Sequence, residues 1–261
     1  LSYAVVLLVA LLASGLTLFS GFGLGTVLMP AFALFFPIPV AVAATAVVHL
    51  ANNVFKVALV GRRADRGVVL RFAVPGAAAA MLGAAMLNLV ASIPPLTGYY
   101  LAGRALEIAP VKLVIGTLII GFAAMELFPR PARLAFDRRY LIVGGLASGF
   151  FGGLSGNQGA LRSAFLIKAG LDKDAFIGTG TVAAVIVDVA RLMVYGLSFY
   201  GSQFRLIGPD MAGLVFAATL AAFAGAFWGA RLIRKVTLRT VQLIVGAMLA
   251  VVGAGMLIGL L

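Results

Sequence analysis

Apolar runs dominate the chain, and the few polar residues inside them mark where helices break. The first run, Tyr3 to Phe36, is too long for one ordinary bilayer crossing of about 20 residues. Ser20-Gly21-Phe22-Gly23-Leu24-Gly25 interrupts it, which predicts two helical pieces joined by a glycine break. Pro37-Ile38-Pro39 then turns the chain, because proline lacks an amide donor and fixes its φ. Further spans are predicted from about Val40 to Val60, from Phe72 to about Val90, and from Val111 to Leu127. None of these runs alternates with period two, so they read as helices rather than barrel strands.

After the basic stretch Pro129 to Arg139 the pattern returns. Leu141 to Gly170 is again a long apolar run, broken at Ser155-Gly156-Asn157-Gln158-Gly159-Ala160-Leu161-Arg162. Spans at Ala175 to Leu197, Met211 to Ala230 and Val241 to Leu261 follow. A shift of 135 residues places Ser20-Gly21 on Ser155-Gly156, Asn53 on Asp188, Lys56 on Arg191 and Gly61 on Gly196. The matches fall on the rare polar and glycine positions, which is the mark of an internal repeat. The predicted organisation is an N-terminal repeat (1–128), a basic cytoplasmic linker (129–139) and a C-terminal repeat (140–261), all in one membrane domain.

Basic residues decide how the repeats are oriented. If every long run crossed once, the loops would hold nine Lys and Arg on one side and eight on the other. If each glycine-broken run enters and returns as a hairpin, fourteen share one side. These are Arg62 to Arg71, the linker, Lys168 with Lys173, and Arg231 to Arg239. Only Arg104, Lys112 and Arg205 fall opposite. The positive-inside rule selects the hairpins. The predicted fold is an all-α integral membrane protein with two inverted repeats. Each is a glycine-broken re-entrant helical hairpin followed by three transmembrane helices, an arrangement common in transporters.

Composition agrees with the membrane and removes several chemistries. Of 261 residues, 63% are hydrophobic and 11% charged, less than half the charged share of a soluble domain. The net charge of +12 would suggest nucleic acid in a soluble protein, but here it sits in short loops facing one side of a lipid bilayer, so no nucleic-acid partner is expected. With no cysteine and one histidine, disulfides, thiolate metal sites and zinc clusters are excluded, and no cofactor is expected. No nucleophile–base pair is visible either, so an enzyme is not expected.

The polar residues left inside the spans are the candidate chemistry. Helices restarting near Gly25 and Gly159 would expose free amide donors at the positive end of the macrodipole. Two such starts brought together form an anion cradle, although glycines also serve close helix packing. Arg162 falls in the first turn after the second break, where a cation opposes the dipole and needs a negative charge beside it. Asp188 or a bound anion would supply that charge. Asp188 and Arg191, three apart, can pair on one helix face. Arg191 and Lys56 each stand five residues before a span-ending glycine, from where snorkelling to the interface is expected. His49, Asn52 and Asn53 put polar groups on one span. The amides suit an oxyanion or interhelical glue, and the imidazole suits a proton shuttle or a structural bond. Glu126 ends the fourth span and is expected at the interface.

Ser20-Gly21-Phe22-Gly23-Leu24-Gly25, with Pro30 downstream, resembles the glycine-rich motif of the sulfite exporter TauE/SafE family. Ser155-Gly156-Asn157-Gln158-Gly159-Ala160 stands where that family repeats its motif, and the layout of two four-span halves around a basic linker is similar over the whole chain. Asn157, Gln158 and Arg162 depart from the family's simpler second glycine motif, and Phe165 occupies its proline's place. The resemblance implies transport of sulfite, thiosulfate or organosulfonates across a bacterial cytoplasmic (inner) membrane.

The sequence therefore reads as a multi-pass secondary transporter of a small sulfur-containing anion, working by alternating access around a midplane site. Gly23, Gly25, Gly159, Asn157, Gln158, Arg162, Asn52 and Asn53 are the expected substrate-binding residues. Asp188 and His49 are the expected coupling or charge partners, with a proton as candidate coupling ion. Two other readings stand beside it: a proton- or cation-coupled carrier of another solute using Asp188, and a non-transporting membrane scaffold subunit. Direction of transport and oligomeric state are not legible.

Overall fold

The computed structural model describes residues 2–20, 24–101, 103–128, 135–202, 209–232 and 238–261. Ten α-helices carry most of them. The N-terminal five are α1 (Ser2–Ser20), α2 (Leu24–Ala33), α3 (Ile38–Val60), α4 (Arg66–Ala91) and α5 (Pro110–Leu127). The rest are α6 (Leu141–Ser155), α7 (Gly159–Leu166), α8 (Lys173–Ser202), α9 (Pro209–Leu232) and α10 (Leu238–Leu257). Five segments are long and apolar enough to cross a membrane: Ile38–Arg63, α4, α5, Lys173–Leu197 and Met211–Trp228. This is an all-α, multi-pass membrane protein.

Helices α2 and α7 differ from the others in length. With 10 and 8 residues rising 1.5 Å each, they reach about 15 and 12 Å, half or less of a ~30 Å hydrocarbon core. Both follow a break that ends a longer apolar helix, as the glycine pattern predicts. At the second break Gly156 adopts φ 80°, a left-handed conformation that glycine enters without the steric cost a Cβ imposes. The first break, Gly21 to Gly23, lies outside the described residues.

Local chemistry sets the other boundaries. Pro37 caps α3, and Pro110 opens α5 at the position where a missing amide costs nothing. The Asp65 carboxylate accepts from Val68 N at 2.8 Å, so α4 begins at Arg66 and not at Phe72 as the hydropathy alone predicts. Asp172 caps α8 in the same way, accepting from Ala175 N at 2.8 Å.

One element was not anticipated. Thr97–Leu101 (β1) and Arg104–Ile108 (β2) pair as an antiparallel hairpin, with Gly103 at φ 78°. Pro94-Pro95 and Pro110 cut this segment off from α4 and α5, so its backbone groups find partners within it. The Tyr99 hydroxyl donates to the Ile258 carbonyl, and Lys112 Nζ donates to Gly259 O at 3.2 Å, which ties the hairpin and α5 to the end of α10.

The packing exchanges elements between the halves. α1 lies along α9 and α6 along α4, so each broken run is covered by a long helix from the other half. α5 packs on α10, and α3 on α8. Element boundaries recur at the 135-residue interval: α1 and α6 end at Ser20 and Ser155, α2 and α7 begin at Leu24 and Gly159, and α3 and α8 begin at Ile38 and Lys173. The α4–α6 contact is made by glycine. A Cβ on Gly145, Gly149 or Gly153 would stand 2.1, 1.9 and 2.0 Å from the carbonyl oxygens of Phe72, Gly76 and Ala80. Backbone meets backbone along two turns, the small-residue contact by which helices associate in lipid.

Candidate functional site

Helix α3 carries a polar stripe on an otherwise apolar span. Thr45, His49, Asn52 and Asn53 are all buried, and their spacing puts them on one side of the helix. α8 carries Asp188, Arg191 and Tyr195, spaced three and four apart and all buried. Because α3 packs on α8, the two stripes meet.

Asp188 is the centre of the meeting. Its Oδ2 lies 2.6 Å from His49 Nδ1. Its Oδ1 accepts from Arg191 Nη2 at 2.7 Å, from Arg191 Nε at 3.0 Å and from Gln158 Nε2 at 3.1 Å. A carboxylate accepts and does not donate, so the imidazole proton sits on Nδ1. Asn53 Nδ2 donates to the His49 carbonyl at 2.9 Å and stands 3.1 Å from the ring's Nδ1 and 3.3 Å from its Nε2. Ser14 of α1 donates to Asn52 Oδ1 at 3.3 Å.

The second glycine break closes on this cluster. Arg191 Nη1 donates to the Gly152 carbonyl at 2.9 Å, and the Tyr195 hydroxyl donates to the Gly153 carbonyl. Both acceptors sit in the last turn of α6, and the Gly152 carbonyl also accepts from the Gly156 amide at 3.0 Å. Ser148 Oγ donates to Gln158 O at 3.1 Å, drawing the start of α7 back onto α6. Arg191 is therefore an interior hub with a fully buried side chain, and the snorkelling expected of it does not occur. Its partners at Asp188 and Gly152 give a desolvated guanidinium more than the interface would.

The first break arrives from the other side. A Cβ on Gly25 would stand 3.1 Å from Gly156 O and 3.9 Å from His49 Nε2. The start of α2 thus meets the end of α6 with the imidazole between them. Asn157, in the turn between α6 and α7, is 2% exposed, and neither end of its side-chain amide has a hydrogen-bond partner among the described residues. Asn52 Nδ2 and Thr45 Oγ1 are buried in the same condition. Arg162 is 6% exposed, lies against Gly180 of α8, and acts electrostatically on His49 and Asp188.

Of the residues expected from sequence, Gly25, Asn53, Gln158, His49 and Asp188 come together directly, and Asn157, Gly159 and Arg162 flank them in the break and α7. Asn52 faces α1 through Ser14. Gly23 lies outside the described residues. Glu126, in the last turn of α5, is 3% exposed, and Arg239 donates to its carbonyl at 2.9 Å and to that of Leu127 at 2.6 Å. The guanidinium holds the end of α5, where carbonyls lack partners inside the helix. Tyr195 and the Gly152 carbonyl were not anticipated. The signal for Tyr195 was present, since it continues the helical spacing of Asp188 and Arg191. The carbonyl has no sequence signal at all.

Buried charge at this place is unbalanced. Among the described residues, the buried side chains here are two guanidinium groups, Arg162 and Arg191, and one carboxylate, Asp188; the other buried carboxyl, Glu126, has Arg239 beside it. Half-buried Lys56 adds further positive charge near Arg162. The break regions thus combine helix starts, buried amides and a surplus of cationic groups.

The family model described as Sulfite exporter TauE/SafE matches residues 6–256. No curated protein and no solved structure matches the chain. The match covers both glycine breaks, both helical stripes and all but the ends of the sequence, and the chain belongs to the sulfite exporter TauE/SafE family of membrane transporters.

Proposed function

We propose that this protein carries a small sulfur-containing anion across the bacterial cytoplasmic membrane, bound where the two glycine breaks meet. The observation that carries this reading is the surplus of buried positive charge between two helix starts, with Asn157 beside it. Buried cationic groups are expensive to hold close together, and a bound oxyanion offsets that cost. The starts of α2 and α7 offer amide donors around Gly25 and Gly159, and Asn157 offers a side-chain donor with no competing partner among the described residues. Arg162 supplies charge, while Asn52 and Asn53 line the α3 side. Gln158, donating to Asp188, positions the turn and joins the anion only by exchanging that bond.

The recurrence of element boundaries and the exchange of packing support two inverted repeats, 1–128 and 140–261, joined by the linker 129–139 on the cytoplasmic side. Alternating access then consists of the two broken hairpins rocking about the α3–α8 contact. The rival in which Asp188 ligates a transported cation is disfavoured, because the carboxylate already accepts from His49, Gln158 and Arg191. A cation there would sit against the Arg191 guanidinium.

Thermal stability of the purified protein with sulfite, thiosulfate, sulfate, a short sulfonate and chloride tests the reading, with Arg162→Ala alongside. Saturable stabilisation by a sulfur oxyanion, weakened in the variant, is expected. Stabilisation by none of the sulfur anions would overturn it.

A further inference from the structure

His49 faces two ways. Its Nδ1 is bonded to Asp188 Oδ2 at 2.6 Å, which commits the Nδ1 proton to the carboxylate. Its other nitrogen, Nε2, is turned toward the start of α2, where a Cβ on Gly25 would lie 3.9 Å away. Asn53 Nδ2 stands 3.1 Å from Nδ1 and 3.3 Å from Nε2 while donating to the His49 carbonyl; with Nδ1–H held on Asp188, the neutral form of the ring carries its lone pair on Nε2. That lone pair repels the oxygen of an anion seated at the break. A protonated Nε2 would donate to it instead.

Charge arithmetic points the same way. The groups facing His49 are Asp188 and Arg191 from α8 and Arg162 from α7. α2 carries no titratable residue, nor do residues 211–228 of α9, and Arg66 and Arg71 of α4 are exposed at its start. On α3 itself, Lys56 lies two turns further on and half-buried. With His49 neutral, the buried cluster carries one positive charge in excess. With His49 protonated it carries two, which match a dianion.

We propose that His49 takes up a proton with the substrate, so that a sulfur dianion of the thiosulfate class moves together with one proton. This rests on the anion reading above and adds the coupling ion and the charge state of the cargo. The proton passes from water to Nε2 as the anion enters, and it leaves with the anion on the far side. Nδ1–H stays on Asp188 throughout, and no bond to sulfur is made or broken. Asp188 is a positioning residue that sets which nitrogen faces the site.

The single histidine of the chain makes the test direct. Tag-free protein labelled at histidine with ¹³C and ¹⁵N is titrated with thiosulfate in weakly buffered detergent solution. The pH is one at which the ligand-free imidazole resonances are those of the neutral ring. Thermal stabilisation on the same samples reports whether thiosulfate binds. The expected result is conversion of the resonances to the imidazolium pattern at saturation, with about one proton taken from solution per anion bound. His49→Gln, which retains an amide donor, should bind thiosulfate without proton uptake. Binding that leaves the wild-type resonances neutral, or takes up no proton, would overturn the coupling and leave the anion reading intact. Absence of thiosulfate binding in the wild type would overturn this proposal, and the anion reading would fall with it only if sulfite, sulfate and the short sulfonate failed to bind as well.

Discussion

Gly25 of α2 stands against the carbonyl of Gly156, so the two glycine breaks, one from each half of the chain, touch through backbone: a Cβ on Gly25 would lie 3.1 Å from that oxygen. A methyl group there is accommodated by a shift of a few tenths of an ångström, and a branched side chain is not. Gly25→Ala is expected to fold with nearly the wild-type melting temperature. Gly25→Val should lose about 1–3 kcal/mol of stability by overpacking, together with anion-dependent stabilisation. A Val variant that melts and binds like wild type would show that the breaks do not meet closely.

Asn157 separates binding from stability. Its buried amide makes no hydrogen bond among the described residues, so Asn157→Ala removes nothing that holds the fold. Thermal stability without ligand is expected to stay level or rise, because an unsatisfied polar group is deleted. Anion affinity should fall about tenfold or more, the worth of a hydrogen bond to a charged group. A parallel loss of stability and affinity would instead mark Asn157 as structural.

Asp188 holds Arg191 and His49 through both of its oxygens. Asp188→Asn leaves the buried guanidinium without its carboxylate, and a loss of about 3–5 kcal/mol is expected. Adding Arg191→Met should recover part of that loss, since a buried pair removed together costs less than one removed singly. Denaturation of the two single variants and the double variant in lipid measures the coupling. Strict additivity would mean that the pair does not interact.

The α4–α6 contact predicts a graded response among glycines. Gly149→Ala would place a methyl 1.9 Å from Gly76 O, a backbone atom that cannot step aside, and should cost about 1–3 kcal/mol or prevent insertion. Gly121→Ala on α5, where a Cβ would meet nothing within 4 Å, should change stability by about 0.5 kcal/mol or less. Expression and melting temperature of the two variants decide the matter.

Much of the fold is legible in the chain because membrane helices leave a coarse signal. An apolar run of given length is a span, a proline or an aspartate starts it, and Ser-Gly in its middle breaks it. α2 and α7, too short to cross, follow directly from the two glycine clusters. The hairpin Thr97–Ile108 is not legible, since its strands are short and carry no run of β-branched residues. Nor is the 3% exposure of Glu126, whose carbonyl is held by Arg239, 113 residues further along the chain.

By itself the sequence determined which residues are the rare polar ones inside apolar helices, and that several of them stand 135 residues apart. Lys56 and Arg191 are one such pair and look alike as long cations near a span end. Only the tertiary structure separated them. Arg191 faces a carboxylate three residues away and the carbonyl of Gly152, and is fully buried; Lys56 has Asn53 where Arg191 has Asp188, and stays half-buried. The physical reason is that a buried charge is decided by its partners. Here those partners are a carbonyl in the last turn before a helix break, for Arg191, and an imidazole 139 residues away, for Asp188, and nothing short of the packed fold brings them within 3 Å.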